Sequence, residues 1–258
     1  MKDLSKRFFS GLIGLVLLIF IVSKGGYFLS FSVYIVSIIG LNEFYKAVEK
    51  INISPIYSVG YLGATGLFIN VILQNKYLGL IFTLVVIALL ILEVFNNNIS
   101  IEGVSITILG ILYIPFLLFH IVYLDNTKYI WLIFIVAFGT DTFAYLAGNL
   151  FGKRKLCPKV SPKKTVEGSI GGILGSTILL AIYSIYFNLE PMWKIILLAF
   201  ICSMIAQLGD LVASKIKRTC GIKDYGSIMP GHGGVLDRFD SIIFTAPVIY
   251  YYISILLI

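Results

Sequence analysis

Charged residues are scarce in this chain: they make up 13% of its 258 residues, whereas hydrophobic residues make up 59%. A soluble domain is about one quarter charged and about half apolar, so the composition excludes an ordinary soluble protein. Apolar runs close to the ~20 residues that cross a bilayer core recur along the whole sequence. The sequence therefore predicts an integral membrane protein whose surroundings are membrane lipids.

Cysteine is also rare, and its pattern excludes two kinds of site. Cys157, Cys202 and Cys220 form no Cys-x-x-Cys pair, so neither a disulfide nor a zinc site is supported. No small-residue cleavage site follows the first apolar run, 8–22, which is therefore predicted to be a retained span and not a secretory signal. Neither an internal repeat nor a soluble domain is apparent.

Apolar stretches between polar breaks predict nine spans. Backbone groups in lipid must be satisfied within their own segment, so each span is expected to be a helix. The expected fold is an all-α polytopic membrane bundle forming one domain over 1–258, with N-terminal helices in 1–100 and the polar motifs in 129–258. The predicted spans are 8–22, 28–46, 56–73, 77–95, 103–123, 129–148, 169–188, 192–213 and 239–257.

The formal net charge is +7, yet a nucleic-acid partner is not expected. The basic residues fall in short loops that would face anionic headgroups and anionic substrates. With a cytoplasmic N-terminus and nine alternating spans, only four Lys and Arg residues lie outside. They are Lys24, Lys76, Lys128 and Lys194. The polar loops 149–168 and 214–238 are both then cytoplasmic, so the active site is expected at the cytoplasmic face of the inner membrane.

The richest polar segment begins in the eighth predicted span. Asp210 lies near the cytoplasmic end of that span, where a carboxylate costs ~2.5–3.5 kcal/mol and should therefore pair or coordinate. Ser214 follows four residues later, and Lys217 and Arg218 follow at a further three and four residues. On a helix this spacing places them on one face, directed at the aqueous end.

Asp237 and Asp240 stand three residues apart at the start of the last predicted span, where a helix N-terminus would favour their charge. Together with Asp210 and Ser214 they predict an oxygen-rich site that suits Mg²⁺. Acids that hold a metal and bases that hold phosphates are the recurring parts of phosphoryl-type transfer. The predicted bases are Lys215, Lys217, Arg218, Lys223 and Arg238.

Glycines flank His232 in the second polar loop. Gly233 and Gly234 would let backbone amides approach phosphate oxygens, so this segment is expected to bind substrate mainly through its backbone. A second cluster combines the intramembrane Asp141 with the basic run Lys163–Thr165 at the entrance of the seventh span. This run is typical of a phosphate clamp.

Taken singly, each of these pieces also fits a structural role. Asp210 could pair with a lysine inside the membrane, and Asp237 with Arg238 could form an interfacial ion pair. Lys163 and Lys164 could anchor the topology, which is the ordinary role of basic cytoplasmic loops. The clustering of all these residues in two loops on one side favours a shared chemical function.

The segment 214–240 resembles the C-terminal signature of the phosphatidate cytidylyltransferase family, also called CDP-diacylglycerol synthases. The segments 161–168 and around Asp141 resemble other pieces of its bacterial-type members. Met229 stands where Leu, Ile or Phe is expected, which is a volume-conserving change. The matching run is Ser214-x-Ile216-Lys217-Arg218-x₄-Lys223-Asp224-x-Gly226-x₃-Pro230-x-His232-Gly233-Gly234-x₂-Asp237-Arg238-x-Asp240.

The resemblance implies an all-helical membrane homodimer that converts CTP and phosphatidic acid to CDP-diacylglycerol and pyrophosphate in phospholipid biosynthesis. Its implied metal ligands are Asp210, Asp237 and Asp240 with Ser214 nearby, holding Mg²⁺ beside a potassium ion. With Lys217 and Arg218 the three acids form the expected catalytic set. The expected substrate-binding residues are Asp141, Lys163, Lys164, Thr165, Ser214, Lys215, Lys223, His232, Gly233, Gly234 and Arg238.

Two other functions fit parts of the pattern. A CTP-dependent lipid kinase would also need a nucleotide site, a metal and a lipid acceptor. A transporter would also place acids within membrane helices, but it predicts inverted repeats and broken central helices, which the sequence does not show. The cytidylyltransferase is therefore the favoured hypothesis.

Overall fold

The computed structural model describes residues 2–189, 191–227 and 233–256. In this part of the chain a helix coincides with each predicted apolar segment, and seven candidate spans are long and apolar enough to cross a membrane. The apolar stretches Gly11–Lys24 and Tyr57–Ile72 are shorter than the rest. The chain is a multi-pass membrane protein, and the count of about nine spans stays a prediction.

The chain is organised in two compact units, of which the first comprises Met1–Asp125 and Thr219–Arg238. Its helices are α1 (Lys2–Lys24), α2 (Gly26–Glu49), α3 (Tyr57–Ile72), α4 (Leu78–Phe95), α5 (Ile101–Ile111) and α6 (His120–Tyr123). The last two lie in one candidate membrane span, Ile101–Tyr123, as predicted for 103–123, with a π-helix at Leu112–Phe116 between them. It contains Pro115, whose missing N–H disfavours regular α-helical bonding.

The core of the first unit is organised around Tyr45 of α2, which is fully buried. Its hydroxyl donates a hydrogen bond to the Thr107 carbonyl of α5 at 3.0 Å. The ring fits against two glycines: a Cβ added at Gly60 of α3 or at Gly110 of α5 would lie 2.5 Å from Tyr45 atoms. Small residues of this kind let membrane helices approach closely, so Tyr45 fills the space that they leave.

The second unit comprises Asn126–Arg218 and Phe239–Ile258. It is built from α7 (Ile130–Phe151), β1 (Lys155–Cys157), β2 (Ser161–Thr165), α8 (Val166–Phe187), α9 (Met192–Thr219) and most of α10 (Leu236–Leu256). The strands pair antiparallel, with Lys155 opposite Thr165 and Cys157 opposite Ser161. This hairpin lies in the predicted polar loop 149–168, and the other elements of the described residues are helical, so the all-α fold class is confirmed. Cys157 is partly exposed there, while Cys202 and Cys220 are buried.

Helices α7 and α8 pack closely because small residues line α8. A Cβ at Gly172 would lie 2.9 Å from the Thr140 carbonyl oxygen, and a Cβ at Gly175 would overlap the Phe143 ring. The Thr140 hydroxyl in turn shares a 2.8 Å hydrogen bond with Ser203 of α9. Close backbone approach and polar contacts between helices replace the hydrophobic driving force that lipid does not supply.

The packing around Tyr45 predicts a large effect of a single methyl group. Gly110→Ala would push a Cβ into the buried Tyr45 ring and is expected to destabilise the protein by ~1–3 kcal/mol. Gly79→Ala in α4 is the matched control, since nothing lies within 4 Å of that Cβ and alanine is the better helix former. Thermal unfolding in detergent measures both, and equal melting temperatures for the two variants would contradict the packing account.

Candidate active site

Asp210 of α9 is held by two side chains of the second unit. Ser214 donates a hydrogen bond to Asp210 Oδ1 at 3.2 Å, one helical turn away as the spacing predicted. The Lys164 ammonium of β2 lies 2.5 Å from Asp210 Oδ2, and both side chains are 25% exposed. Helix α9 continues to Thr219, beyond the predicted end at 213, and this keeps Asp210 and Ser214 on one helix face. The hairpin thus docks a lysine on the intramembrane acid.

Asp240 of α10 is buried in the same unit, and other carboxylates lie near its side chain. Its carboxylate interacts electrostatically with those of Asp210 and Asp141, and the Lys217 ammonium attracts it. Lys217 is itself buried. Helix α9 comes close to α10 at Gly209, where a Cβ would lie 2.6 Å from the Asp240 carbonyl oxygen. The fold therefore gathers several of the predicted acids and bases in one region of the second unit.

Residues at the start of α8 fix the base of the hairpin to that helix. Thr165 is the N-cap of α8 and accepts a hydrogen bond from the Gly168 N–H at 3.1 Å. Glu167 accepts from the Lys153 N–H at 3.0 Å and the Arg154 N–H at 3.2 Å. Thr165 thus has a capping role beside its predicted substrate role. The two contacts hold the basic hairpin at a fixed angle to α8.

Asp237 organises the signature segment of the first unit. It lies in the first turn of α10, and its Oδ2 accepts hydrogen bonds from the Tyr225 N–H at 2.8 Å and the Gly234 N–H at 2.9 Å. Gly233 adopts a φ of +85°, where L side chains are strained, and a Cβ there would lie 2.9 Å from the same Oδ2. Gly233 and Gly234 therefore lie close to the carboxylate that was predicted to bind metal.

Glu43 of α2 was missed by the sequence interpretation. Its carboxylate is 6% exposed and accepts hydrogen bonds from the Val235 N–H at 3.0 Å and the Leu236 N–H at 2.8 Å. The signal that would have found it is an acid within the predicted span 28–46, because an ionisable residue in a membrane segment points to function by default.

The other predicted residues lie mainly on exposed surface. Lys163 is exposed on β2, and Asp141 is exposed on α7. Gly234 is buried, whereas His232 lies outside the described residues. The remaining exposed basic residues of the predicted set are Lys215, Arg218, Lys223 and Arg238.

The donor chemistry of the acidic cluster fits a hard cation, since Asp210, Ser214 and Asp240 offer only oxygen ligands. Within residues 2–189, 191–227 and 233–256, no three His, Cys, Asp or Glu side chains are gathered as a ready-made metal site. The Lys164 ammonium supplies the positive charge at Asp210 in this structure. The assignment of metal ligands therefore stays a prediction.

Comparison with known proteins places this arrangement in a family. A sequence model described as the cytidylyltransferase family matches residues 5–256. The chain is similar to the phosphatidate cytidylyltransferase of Staphylococcus epidermidis, with 34% identity, and to those of Staphylococcus haemolyticus and Staphylococcus aureus, with 36% identity each. Each match covers 94% of this chain and 96% of the relative. The chain therefore belongs to the cytidylyltransferase family.

Proposed function

We propose that this chain is a phosphatidate cytidylyltransferase, which transfers a cytidylyl group from CTP to phosphatidic acid and yields CDP-diacylglycerol and pyrophosphate. The observation that carries the proposal is the similarity to three proteins of that name over 94% of the chain. The signature between Ser214 and Asp240 lies inside the matched range. The kinase and transporter alternatives have no comparable support.

The reaction is proposed to take place at the cytoplasmic face of the inner membrane. Phosphatidic acid is a membrane lipid, and the basic residues that would meet its headgroup cluster in the hairpin and between the end of α9 and the start of α10. Both segments are cytoplasmic if the Lys and Arg distribution sets the topology. We further propose a homodimer, which the family resemblance implies.

The proposed chemistry is an in-line displacement at the α-phosphorus of CTP. A phosphate oxygen of phosphatidic acid forms a bond to this phosphorus, the bond to the oxygen bridging the α- and β-phosphates breaks, and pyrophosphate leaves with that electron pair. Phosphatidic acid is already anionic at neutral pH, so little general-base assistance is needed. Most of the catalysis is then positioning and electrostatic stabilisation of the phosphates.

Three acids and a hydroxyl are proposed to hold Mg²⁺, beside a potassium ion: Asp210, Asp237 and Asp240, with Ser214. When bound, such ions neutralise charge on the nucleotide phosphates. The described residues support this by their all-oxygen chemistry and by the shared charge neighbourhood of Asp210 and Asp240.

Basic side chains are proposed to hold the β- and γ-phosphates. Lys164 and Lys217 are the best supported, since each lies beside an acid of the predicted metal set. The ion pair with Asp210 holds the Lys164 ammonium in place before substrates arrive, and phosphate oxygens can then replace the carboxylate as its partner. The exposed bases of the predicted set are proposed to complete the anionic substrate site: Lys163, Lys215, Arg218, Lys223 and Arg238.

The position of a radiolabel tests the reaction. The purified chain, incubated in detergent with phosphatidic acid and CTP, is expected to transfer label from the α-phosphate of CTP to the lipid. Label on the γ-phosphate should appear in pyrophosphate, and chelation of divalent ions should stop the transfer. Recovery of γ-label in the lipid would instead identify a CTP-dependent lipid kinase.

A second prediction concerns Asp237. Asp237→Asn keeps a carbonyl oxygen that can accept the Tyr225 and Gly234 hydrogen bonds, but it removes the charge proposed to bind metal. The rate is expected to fall by about 100-fold or more, the scale for loss of a charge-stabilising group. The melting temperature and oligomeric state should stay unchanged.

Glu49→Gln is the control for this variant, since it removes a carboxylate from an exposed position on α2. It should turn over like the unmodified protein. Turnover of Asp237→Asn close to that of the control would rule out the proposed metal role.

A further inference from the structure

The carboxylate of Glu43 has no role in the chemistry proposed above, yet it contacts the segment that leads to Asp237. We propose that Glu43 is a positioning residue, which fixes the first turn of α10 and thereby the placement of the Asp237 carboxylate. This inference rests on the proposed function and adds a residue to its machinery. It concerns only contacts within the first unit.

The first contact is a cap at the N-terminus of α10. The first N–H groups of a helix have no partner within the helix and need acceptors from elsewhere. The residues just before α10, Gly233, Gly234 and Val235, carry no side-chain acceptor. Glu43 supplies one oxygen to Val235 and the other to Leu236, across 192 and 193 residues of sequence. The cap therefore attaches the first turn of α10, which belongs to the first unit, to α2, and a local Ser or Asp cap would not do this.

The second contact is enclosure of the carboxylate by glycine backbone. A Cβ added at Gly234 would lie 2.5 Å from Glu43 Oε1, and a Cβ at Gly226 would collide with the same atom. The two glycines thus let the backbone at 226 and at 234 approach a side chain from another helix. An interaction of charge alone would not require the backbone of Gly226 and of Gly234 to lie this close to the Glu43 carboxylate.

Gly234 links the two acids. A Cβ added to it would meet the Glu43 carboxylate, and its N–H donates to Asp237 Oδ2 at 2.9 Å. Tyr225, the residue before Gly226, donates to the same Asp237 oxygen at 2.8 Å. A shift of Glu43 must therefore move the two backbone amides that orient Asp237. This short chain of contacts is the physical basis of the proposed positioning.

The geometry also explains why glutamate is required. Glutamine keeps the length of the side chain but offers one acceptor oxygen, so one of the two N–H groups would face an amide donor. Charge-assisted bonds at a helix N-terminus are stronger than neutral ones, so they offset part of the cost of burying a carboxylate at this position. Glu43→Gln therefore removes half of the cap and its charge at little change in volume.

The test compares Glu43→Gln with Glu49→Gln, which alters the same helix at an exposed position. Both full-length proteins are purified in detergent and assayed for CTP-dependent transfer over a range of Mg²⁺ concentrations. We expect Glu43→Gln to lower kcat by about 100-fold, the scale for a ~1 Å misplacement, and to raise the half-saturating Mg²⁺ concentration several-fold. The control should match the unmodified protein in kcat and in half-saturating Mg²⁺ concentration.

These readouts separate positioning from folding. A merely structural role would reduce the active fraction and leave the half-saturating Mg²⁺ concentration and the KM for CTP unchanged, and that result would overturn the proposal. Hydrogen exchange gives a readout apart from activity. Glu43→Gln should speed exchange in peptides covering 225–227 and 233–237, while peptides of α3 and α5 stay protected.

A second variant keeps the proposal testable if Glu43→Gln is poorly folded. Gly234→Ala pushes against Glu43 from the other side and should give the same rise in Mg²⁺ requirement. In the double variant the rise in Mg²⁺ requirement should be smaller than the two single-variant rises combined, because both substitutions act through one contact. Fully additive effects of the two substitutions would contradict the proposal. If the unmodified protein transfers no α-label, the proposed function fails, and exchange at 233–237 still decides whether Glu43 holds this segment.

Discussion

The need to give the carboxylates of Asp210, Glu43 and Asp237 a partner shapes much of this structure. An unpaired acid in lipid is costly, so each must find a cation or a set of N–H donors. Asp210 takes the Lys164 ammonium and the Ser214 hydroxyl. Glu43 and Asp237 each take two backbone N–H groups. The contacts that satisfy these acids are the same contacts that connect distant parts of the sequence within each unit.

The acids differ in what they fix. Glu167 holds the base of the hairpin to the start of α8, and the hairpin then carries Lys164 to Asp210. Glu43 holds the start of α10 to α2. Small residues complete both arrangements by allowing close approach, as at Gly234 and Gly168. Polar side chains and glycines therefore act together: the former supply the bonds and the latter supply the space.

Much of the helical layout could be predicted from the sequence, because membrane spans need long apolar runs and their ends carry polar breaks. The predicted span 77–95 coincides with Leu78–Phe95, and 56–73 with Tyr57–Ile72. The same criterion fails where a helix continues into polar sequence. Helix α9 extends to Thr219 and α10 begins at Leu236, because Asp210, Ser214 and Asp237 satisfy their polar groups in helical geometry.

The site was predictable in part. Helical spacing gave the contact between Asp210 and Ser214, and it placed Asp237 in the first turn of α10, whereas Asp240 lies beyond that turn. The hairpin escaped prediction because its strands are short and rich in lysine, so no apolar alternation marks them. Glu43 could have been found as an acid within a predicted span, but its partners could not, because they are backbone amides of a segment more than 190 residues away. Contacts of that kind depend on the tertiary fold and leave no local pattern.

The position of Cys157 gives the basic hairpin a natural chemical handle. Cys202 is buried in α9, and Cys220 is buried just after it, where burial raises the pKa of the thiol and keeps it in the unreactive protonated form. Cys157 in β1 is the accessible thiol of the three. A maleimide fluorophore should therefore attach to the hairpin without any engineered cysteine. Its emission would report the moment at which nucleotide or lipid reaches the strand pair.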